Sequence, residues 1–270
     1  MIFTIIGAGW LGHPLALQLH KAGHQIKTTT RDETKRRGLI QQGLACEQLS
    51  LQADTDFTAP VFAELMQTDC LIITLPPGIR HGKGEAYLTI IKSLLAVADK
   101  KKVAKVLLTS SSGVYPEQDK WMDEEAAFPH NEKARLLLAA ESLVAARQGD
   151  YLICRLTGLF GGQRDPARFV KRMSQLNKRA IANMLHQKEA VAAIYFLLQQ
   201  EIKNQCINIS SQIPVTKVDF YQAAIARSDV TTELPPLVDG AVGKCISTAK
   251  LAGLGYSFIF ADAIAALAAE

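Results

Sequence analysis

Gly7-Ala8-Gly9-Trp10-Leu11-Gly12 follows directly on the apolar run Ile2-Phe3-Thr4-Ile5-Ile6. Three glycines at this spacing carry little information alone. Placed between a buried strand and the start of a helix, they form a turn suited to a dinucleotide phosphate. Gly7 permits the tight turn, Gly9 lets backbone approach a pyrophosphate with no Cβ in the way, and Gly12 lets the helix pack closely on the strand. The first helical N–H groups and the helix dipole then face the phosphates. The other reading of the same residues is a glycine-rich turn that holds no ligand.

About 20 residues on, where an acid holds the adenosine ribose of NAD, the chain reads Thr29-Thr30-Arg31. The Arg31 guanidinium suits a 2′-phosphate, and Lys35, Arg36 and Arg37 lie close behind. This predicts NADP(H), with NAD as the alternative: Asp32 would reach the ribose after a one-residue shift in register. A solvated helix start is the plainer account of the same charges.

Further along, Thr109-Ser110-Ser111-Ser112-Gly113-Val114-Tyr115-Pro116 follows an apolar strand. A hydroxyl there can donate to a substrate oxygen and hold it on a hydride path, or it can simply end the strand and cap a turn. A helix over 131–147 places Lys133, Leu137, Ala140 and Val144 on one face at 100° per residue. A lysine would thus open the stripe that packs on the sheet, within reach of nicotinamide ribose hydroxyls, or it would snorkel to water.

Alternating segments must position these groups. After the first strand and its helix come a strand over 25–30, a basic helix over 34–42 and a strand over 45–49. The run 70–74 is continuously apolar, as a parallel strand covered on both faces requires. A helix over 85–99, a strand over 103–108, the 131–147 helix and a strand over 151–156 follow. Strand, crossover, strand in repetition predicts an α/β fold, a Rossmann-type doubly wound parallel sheet with ligands at its carboxyl edge. Past Gly161-Gly162 basic residues and short helices take over (164–179, 189–200), with a strand over 207–209, a helix over 216–226 and an Ala-rich final helix. We read 1–162 as the NAD(P)-binding domain and 163–270 as a smaller mixed α/β C-terminal lobe on the substrate side, with segments free to interleave.

The chain has 270 residues and a formal charge of +4, too small and too mixed to argue for a nucleic-acid partner. No apolar run is long enough to span a membrane, and the first strand starts at Ile2, so no membrane partner and a cytoplasmic location are expected. Five scattered cysteines without a C-x-x-C pair fit reduced core thiols, and no His, Cys, Asp or Glu set has metal-ligand spacing. The expected partner is a small-molecule substrate.

Taken together, these residues resemble the extended short-chain dehydrogenase/reductases of the NAD-dependent epimerase/dehydratase superfamily. The nearest likeness is to the atypical, YeeZ-like subgroup of nucleoside-diphosphate-sugar epimerase type. The likeness rests on the glycine loop, Thr74-Leu75-Pro76-Pro77, Ser-Ser-Ser-Gly-Val-Tyr and Trp121-Met122-Asp123-Glu124. It continues in Arg155-Leu156-Thr157-Gly158-Leu159-Phe160-Gly161, Asn208-Ile209-Ser210 and Gly243-Lys244-Cys245-Ile246-Ser247. The resemblance implies that Ser111 is the active-site hydroxyl and Lys133 the lysine of a Tyr-x-x-x-Lys pair. The tyrosine of that pair falls on Pro129, which cannot carry a proton. His130 stands next to it as a substitute, and Tyr115 is a further candidate.

The cofactor contacts expected are Gly7, Gly9, Trp10, Leu11, Gly12, Thr30, Arg31, Leu75, Pro76, Pro77 and Ser110, with Ser111, Lys133 and His130 as the catalytic set. The function expected is an NADP(H)-dependent oxidoreductase or epimerase acting on a small polar or nucleotide-sugar-like substrate. The alternative is a non-catalytic NAD(P)-binding sensor, which Pro129 favours. A β-hydroxyacid dehydrogenase would share the opening residues but would continue in long helices.

Overall fold

The computed structural model describes residues 1–269. Strand β1 (Ile2–Ile6) runs through the glycine turn into helix α1 (Gly12–Lys21). Next come β2 (Gln25–Thr30), α2 (Glu33–Gln41), β3 (Ala45–Gln48), α3 (Pro60–Leu65) and β4 (Cys70–Ile73). They are followed by α4 (Gly84–Lys100), β5 (Lys105–Ser111), β6 (Trp121–Met122), α5 (Glu132–Ala145) and β7 (Asp150–Leu156). The remainder comprises β8 (Gly158–Phe160), α6 (Ala167–Val170), β9 (Leu176–Asn177), β10 (Met184–His186), α7 (Gln187–Gln199) and β11 (Gln205–Ile209). Helix α8 (Lys217–Arg227), β12 (Leu237–Val238), β13 (Cys245–Ile246), α9 (Ala249–Gly253) and α10 (Ala263–Ala266) complete the order.

Seven strands form one parallel sheet in the order β11-β7-β5-β4-β1-β2-β3. This is the doubly wound Rossmann-type arrangement expected from the alternation. All four residues of β4 are buried, which is why that segment reads as unbroken apolar sequence. The chain groups into two compact units, and the division falls within β7 and β11. The first comprises Met1–Ser110, Pro129–Cys154 and Leu197–Cys206. Its core gathers Ile6, Ile73 and Leu108 from the sheet with Ile91, Leu94, Ala140 and Val144 from α4 and α5. The second comprises Ser111–Phe128, Arg155–Phe196 and the described residues from Ile207 onward. Its core centres on Phe160, Phe220, Tyr221 and Ala263, with Phe160 and Phe220 edge to face at 5.2 Å.

Three elements differ from the expectations. Val103 does not open β5. Lys102 turns through φ 56°, and the Val103 amide donates back to Ala98 O, so this apolar residue seals the end of α4 instead. The strand continues into Thr109, Ser110 and Ser111, and the Thr109 hydroxyl donates to Ile73 O on β4. The strand expected over 207–209 in the smaller lobe is β11, at one edge of the large sheet. The basic stretch 164–179 holds one four-residue helix, α6, and the short strand β9.

Candidate functional site

The β1–α1 turn is held from both sides. Gly7 N donates to Thr29 Oγ1 at 3.0 Å and Ala8 N to Thr29 O at 2.7 Å, both on β2. The Thr74 hydroxyl after β4 donates to Gly7 O at 2.6 Å. Each glycine answers a different demand. Gly7 has φ 102°, a left-handed value that strains any other residue. A Cβ on Gly12 would lie 2.3 Å from Gly7 O and 2.8 Å from Thr74 Oγ1, so close helix packing excludes it. A Cβ on Gly9 would meet only Gly7 O, at 3.8 Å. The protein itself therefore sets no steric limit at Gly9. Among the described residues the Leu11 and Gly12 amides have no acceptor, whereas His13 N donates to Gly9 O at 3.1 Å. Two unspent donors thus stand at the positive end of a ten-residue helix. Trp10 is half-buried beside them.

At the end of β2, Asp32 is the N-cap of α2, its Oδ1 accepting Lys35 N at 2.8 Å. Arg36 and Arg37 both bind Glu33, at 2.7 and 3.0 Å. Hydrogen bonds from Arg36, then from Arg37, hold the Glu33 carboxyl down at about 2. Arg31 is exposed, and its guanidinium has no ion-pair partner among the described residues. Of the basic cluster, then, Arg36 and Arg37 share one carboxylate, while no ion pair of Arg31 or Lys35 is found among the described residues. Thr30 closes β2, its carbonyl accepting Leu49 N at 2.8 Å.

Because the sheet is parallel, β4 and β5 end on the same edge. Leu75 and Pro77 are half-buried and Pro76 is exposed, ahead of a left-handed turn at Gly78. The Ser110 hydroxyl donates to Glu141 Oε1 on α5 at 2.5 Å. Ser111, in the second unit, uses Oγ as an acceptor for Gly113 N at 3.1 Å, which leaves its hydrogen to donate. Within that unit Lys244 Nζ donates to Tyr115 O at 2.8 Å and Ser112 O at 3.3 Å and pairs with Glu117, pinning the 112–115 turn. Tyr115 is buried, and its hydroxyl donates to Asn208 Oδ1 at 2.6 Å while accepting from Arg155 Nη1 at 2.8 Å. That hydroxyl is a structural link.

Helix α5 is capped by the Asn131 side chain on Ala134 N. Its buried face holds Ala134, Leu137, Ala140, Glu141 and Val144, and Lys133 is exposed. The lysine therefore does not open the packed stripe; the polar member of that face is Glu141. His130 is half-buried just before the cap. The glycine turn, Thr30, Arg31, Leu75–Pro77 and Ser110 thus share one sheet edge in the first unit.

The cysteines are all free thiols, and no three-residue metal cluster occurs among the described residues. No helix among them is long and apolar enough to cross a membrane. Burial raises the Cys70 thiol to about 12 and that of Cys245 to about 11, and Cys46 and Cys154 rise too. Raised folded values mean stability that is complete below about 9 and lost as pH climbs through about 11 to 12. Ellman's reagent at about pH 8 should label only the half-buried Cys206 quickly in the native protein; rapid labelling of several thiols would contradict this packing.

A family model described as NAD(P)H-binding matches residues 7–194. Protein YeeZ of Escherichia coli strain K12 is 30% identical over 268 residues, covering 96% of each chain. The chain belongs to the NAD(P)H-binding family. By that identity and coverage it is a YeeZ-like member. Its fold is similar to that of a solved NAD-dependent epimerase/dehydratase homologue from Methylobacillus flagellatus (TM-score 0.73, 21% identity, 99% and 96% of the two chains). It is also similar to the UDP-glucuronic acid 4-epimerase of Bacillus cereus solved with NAD (TM-score 0.79, 17% identity, 100% and 97%). The sequence motifs include Arg155 and Asn208 but assign them no role, and Glu141 stands outside the motifs. Glu141 did leave a signal, a carboxylate one helical turn from Leu137 in an apolar stripe.

Proposed function

We propose that the β1–α1 turn binds NADP(H), and that the chain is an NADP(H)-dependent oxidoreductase or epimerase acting on a small polar or nucleotide-sugar-like substrate. One observation carries the cofactor choice: Asp32 is committed to capping α2 while Arg31 beside it stays unpaired. An acid bound to helix amides is poorly placed to take ribose hydroxyls, and a free guanidinium suits a 2′-phosphate. The residues present fit the dinucleotide: Leu11 and Gly12 N–H groups for the diphosphate, open space at Gly9, and Trp10, Thr30, Leu75, Pro76, Pro77 and Ser110 along the same edge. When bound, the nicotinamide supplies hydride-transfer chemistry.

The chain's own residues supply orientation and proton handling. Ser111, its acceptor side occupied by Gly113 N, donates its hydrogen to a substrate oxygen. His130 takes the proton-carrying role that Pro129 cannot fill, and Lys133 holds ribose hydroxyls from the first turn of α5. The UDP-glucuronic acid named for one structural neighbour supports the nucleotide-sugar class.

The experiment is a pair of titrations, NADPH and NADH against the purified protein, read by fluorescence. NADPH is expected to bind at least tenfold more tightly, the effect of about one charge-assisted hydrogen bond; equal or tighter NADH binding removes the case for Arg31. Pro129 favours a second reading, a cofactor-binding sensor. A sensor binds both redox states and consumes neither, so turnover of bound nicotinamide with any UDP-sugar would eliminate it.

A further inference from the structure

The packed face of α5 carries a carboxylate. Glu141 is 5% exposed, on the same face as Leu137 and Val144, which pack there with ordinary apolar side chains. Packing does not explain the choice, since a leucine would fill the stripe equally well and burying a carboxylate is costly. What the carboxylate does is take the hydrogen of Ser110, 31 residues away in sequence, at 2.5 Å. Tyr87 on α4 faces the same group: burial first, and then the Glu141 charge, raise its phenol.

In this bond the Ser110 hydroxyl is the donor and Glu141 Oε1 the acceptor, so the Ser110 hydrogen points at Glu141. What Ser110 Oγ retains for any other partner is lone pairs. Ser110 is 8% exposed, so a small part of it remains reachable. It stands at the carboxyl end of β5, separated from β1 and its glycine turn by β4. Arg31 lies on the other side of that turn, after β2. A dinucleotide with its diphosphate on the turn and its adenosine toward Arg31 must extend its other half over β4 and β5. That half carries ribose hydroxyls and a carboxamide, both of which are hydrogen donors.

We infer that Glu141 is a positioning residue that fixes Ser110 as a hydrogen-bond acceptor for a hydroxyl or amide donor on the nicotinamide half of the cofactor. The inference rests on the NADP(H) reading above. Glu141 does not touch the ligand; it removes the rotational freedom that would let Ser110 present a hydrogen instead.

The test uses the whole protein, two probes and three variants. NADPH carries the nicotinamide half, and adenosine 2′,5′-bisphosphate lacks it. Ser110→Ala/Glu141→Leu removes both partners of this bond together, so neither is stranded by loss of the other. NADPH affinity is expected to fall about tenfold, the effect of one hydrogen bond, while affinity for the bisphosphate stays unchanged. Ser110→Thr restores a hydroxyl and should bind NADPH within about threefold of the wild type. Should the double variant fail to fold, Ser110→Ala is expected to show the same split between the probes.

Unchanged NADPH binding in a folded variant overturns the inference. So does equal weakening of both probes, because a merely structural role would move both. A wild-type protein that binds neither probe instead overturns the NADP(H) reading and this inference with it.

Discussion

Gly9→Ala is expected to fold normally and to lose about two orders of magnitude in NADP(H) affinity. The added methyl group meets only Gly7 O, at 3.8 Å, which is ordinary contact, so thermal stability should match the wild type. Gly9 is exposed and shows no positive φ, so the backbone tolerates alanine. The methyl group would stand where a diphosphate approaches the Leu11 and Gly12 amides. Two charge-assisted hydrogen bonds at about 1.5 kcal/mol or more each amount to about 100-fold in affinity. Gly12→Ala supplies the contrast. Its Cβ would overlap Gly7 O at 2.3 Å, a backbone atom that cannot swing aside. Overpacking of this kind costs about 1–3 kcal/mol, a fall in Tm of roughly 5 °C for a chain of this size, with cofactor binding lost as well. Thermal melts paired with NADPH titrations separate the two. A Gly9→Ala protein that binds NADPH like the wild type would show that the turn carries no dinucleotide.

What was legible in the sequence follows from the range of the interactions involved. The glycine turn, β4 and the first helices are local: their residues meet within a few positions, and period and turn chemistry report them directly. The edge that collects Thr30, Arg31, Pro76 and Ser110 was legible too, because parallel strands must end together. Lys133 lies one residue off the buried stripe. Ala134, 100° further round, opens the buried face of α5, and a lysine in a first turn can reach solvent from either position. Glu141 stood in the stripe but declares its purpose only once Ser110 is placed against it. Other groups leave no local trace at all. Tyr115 meets Asn208 across 93 positions, and Glu189 accepts the Ile259 amide across 70 and the Phe260 amide across 71. Such pairs are set by topology, and a single sequence carries no periodic signal for them.

Arg155→Met is expected to destabilise the second unit by about 3 kcal/mol or more. Arg155 is 6% exposed, and its Nη1 donates to the Tyr115 hydroxyl at 2.8 Å and to Glu124 O at 2.7 Å. The guanidinium carbon also lies 5.3 Å from the centre of the Tyr115 ring, a cation–π distance. The network continues as Tyr115 donates to Asn208 Oδ1, Asn208 N donates to Glu124 Oε1 at 2.7 Å, and Asn208 Nδ2 donates to Met122 O at 3.3 Å. Methionine matches the arginine stem in bulk but leaves these acceptors without their donor, and buried polar groups stripped of partners account for losses of this size. Tyr115→Phe removes one hydroxyl and should cost less, about 1–2 kcal/mol. Urea unfolding monitored by fluorescence measures both, and an Arg155→Met protein within about 1 kcal/mol of the wild type would mean the network is dispensable. The ordering bears on chemistry as well as stability. A hydroxyl that already donates to Asn208 and accepts from Arg155 has no hydrogen to spare for a substrate. Tyr115→Phe should therefore leave NADPH affinity unchanged while lowering stability.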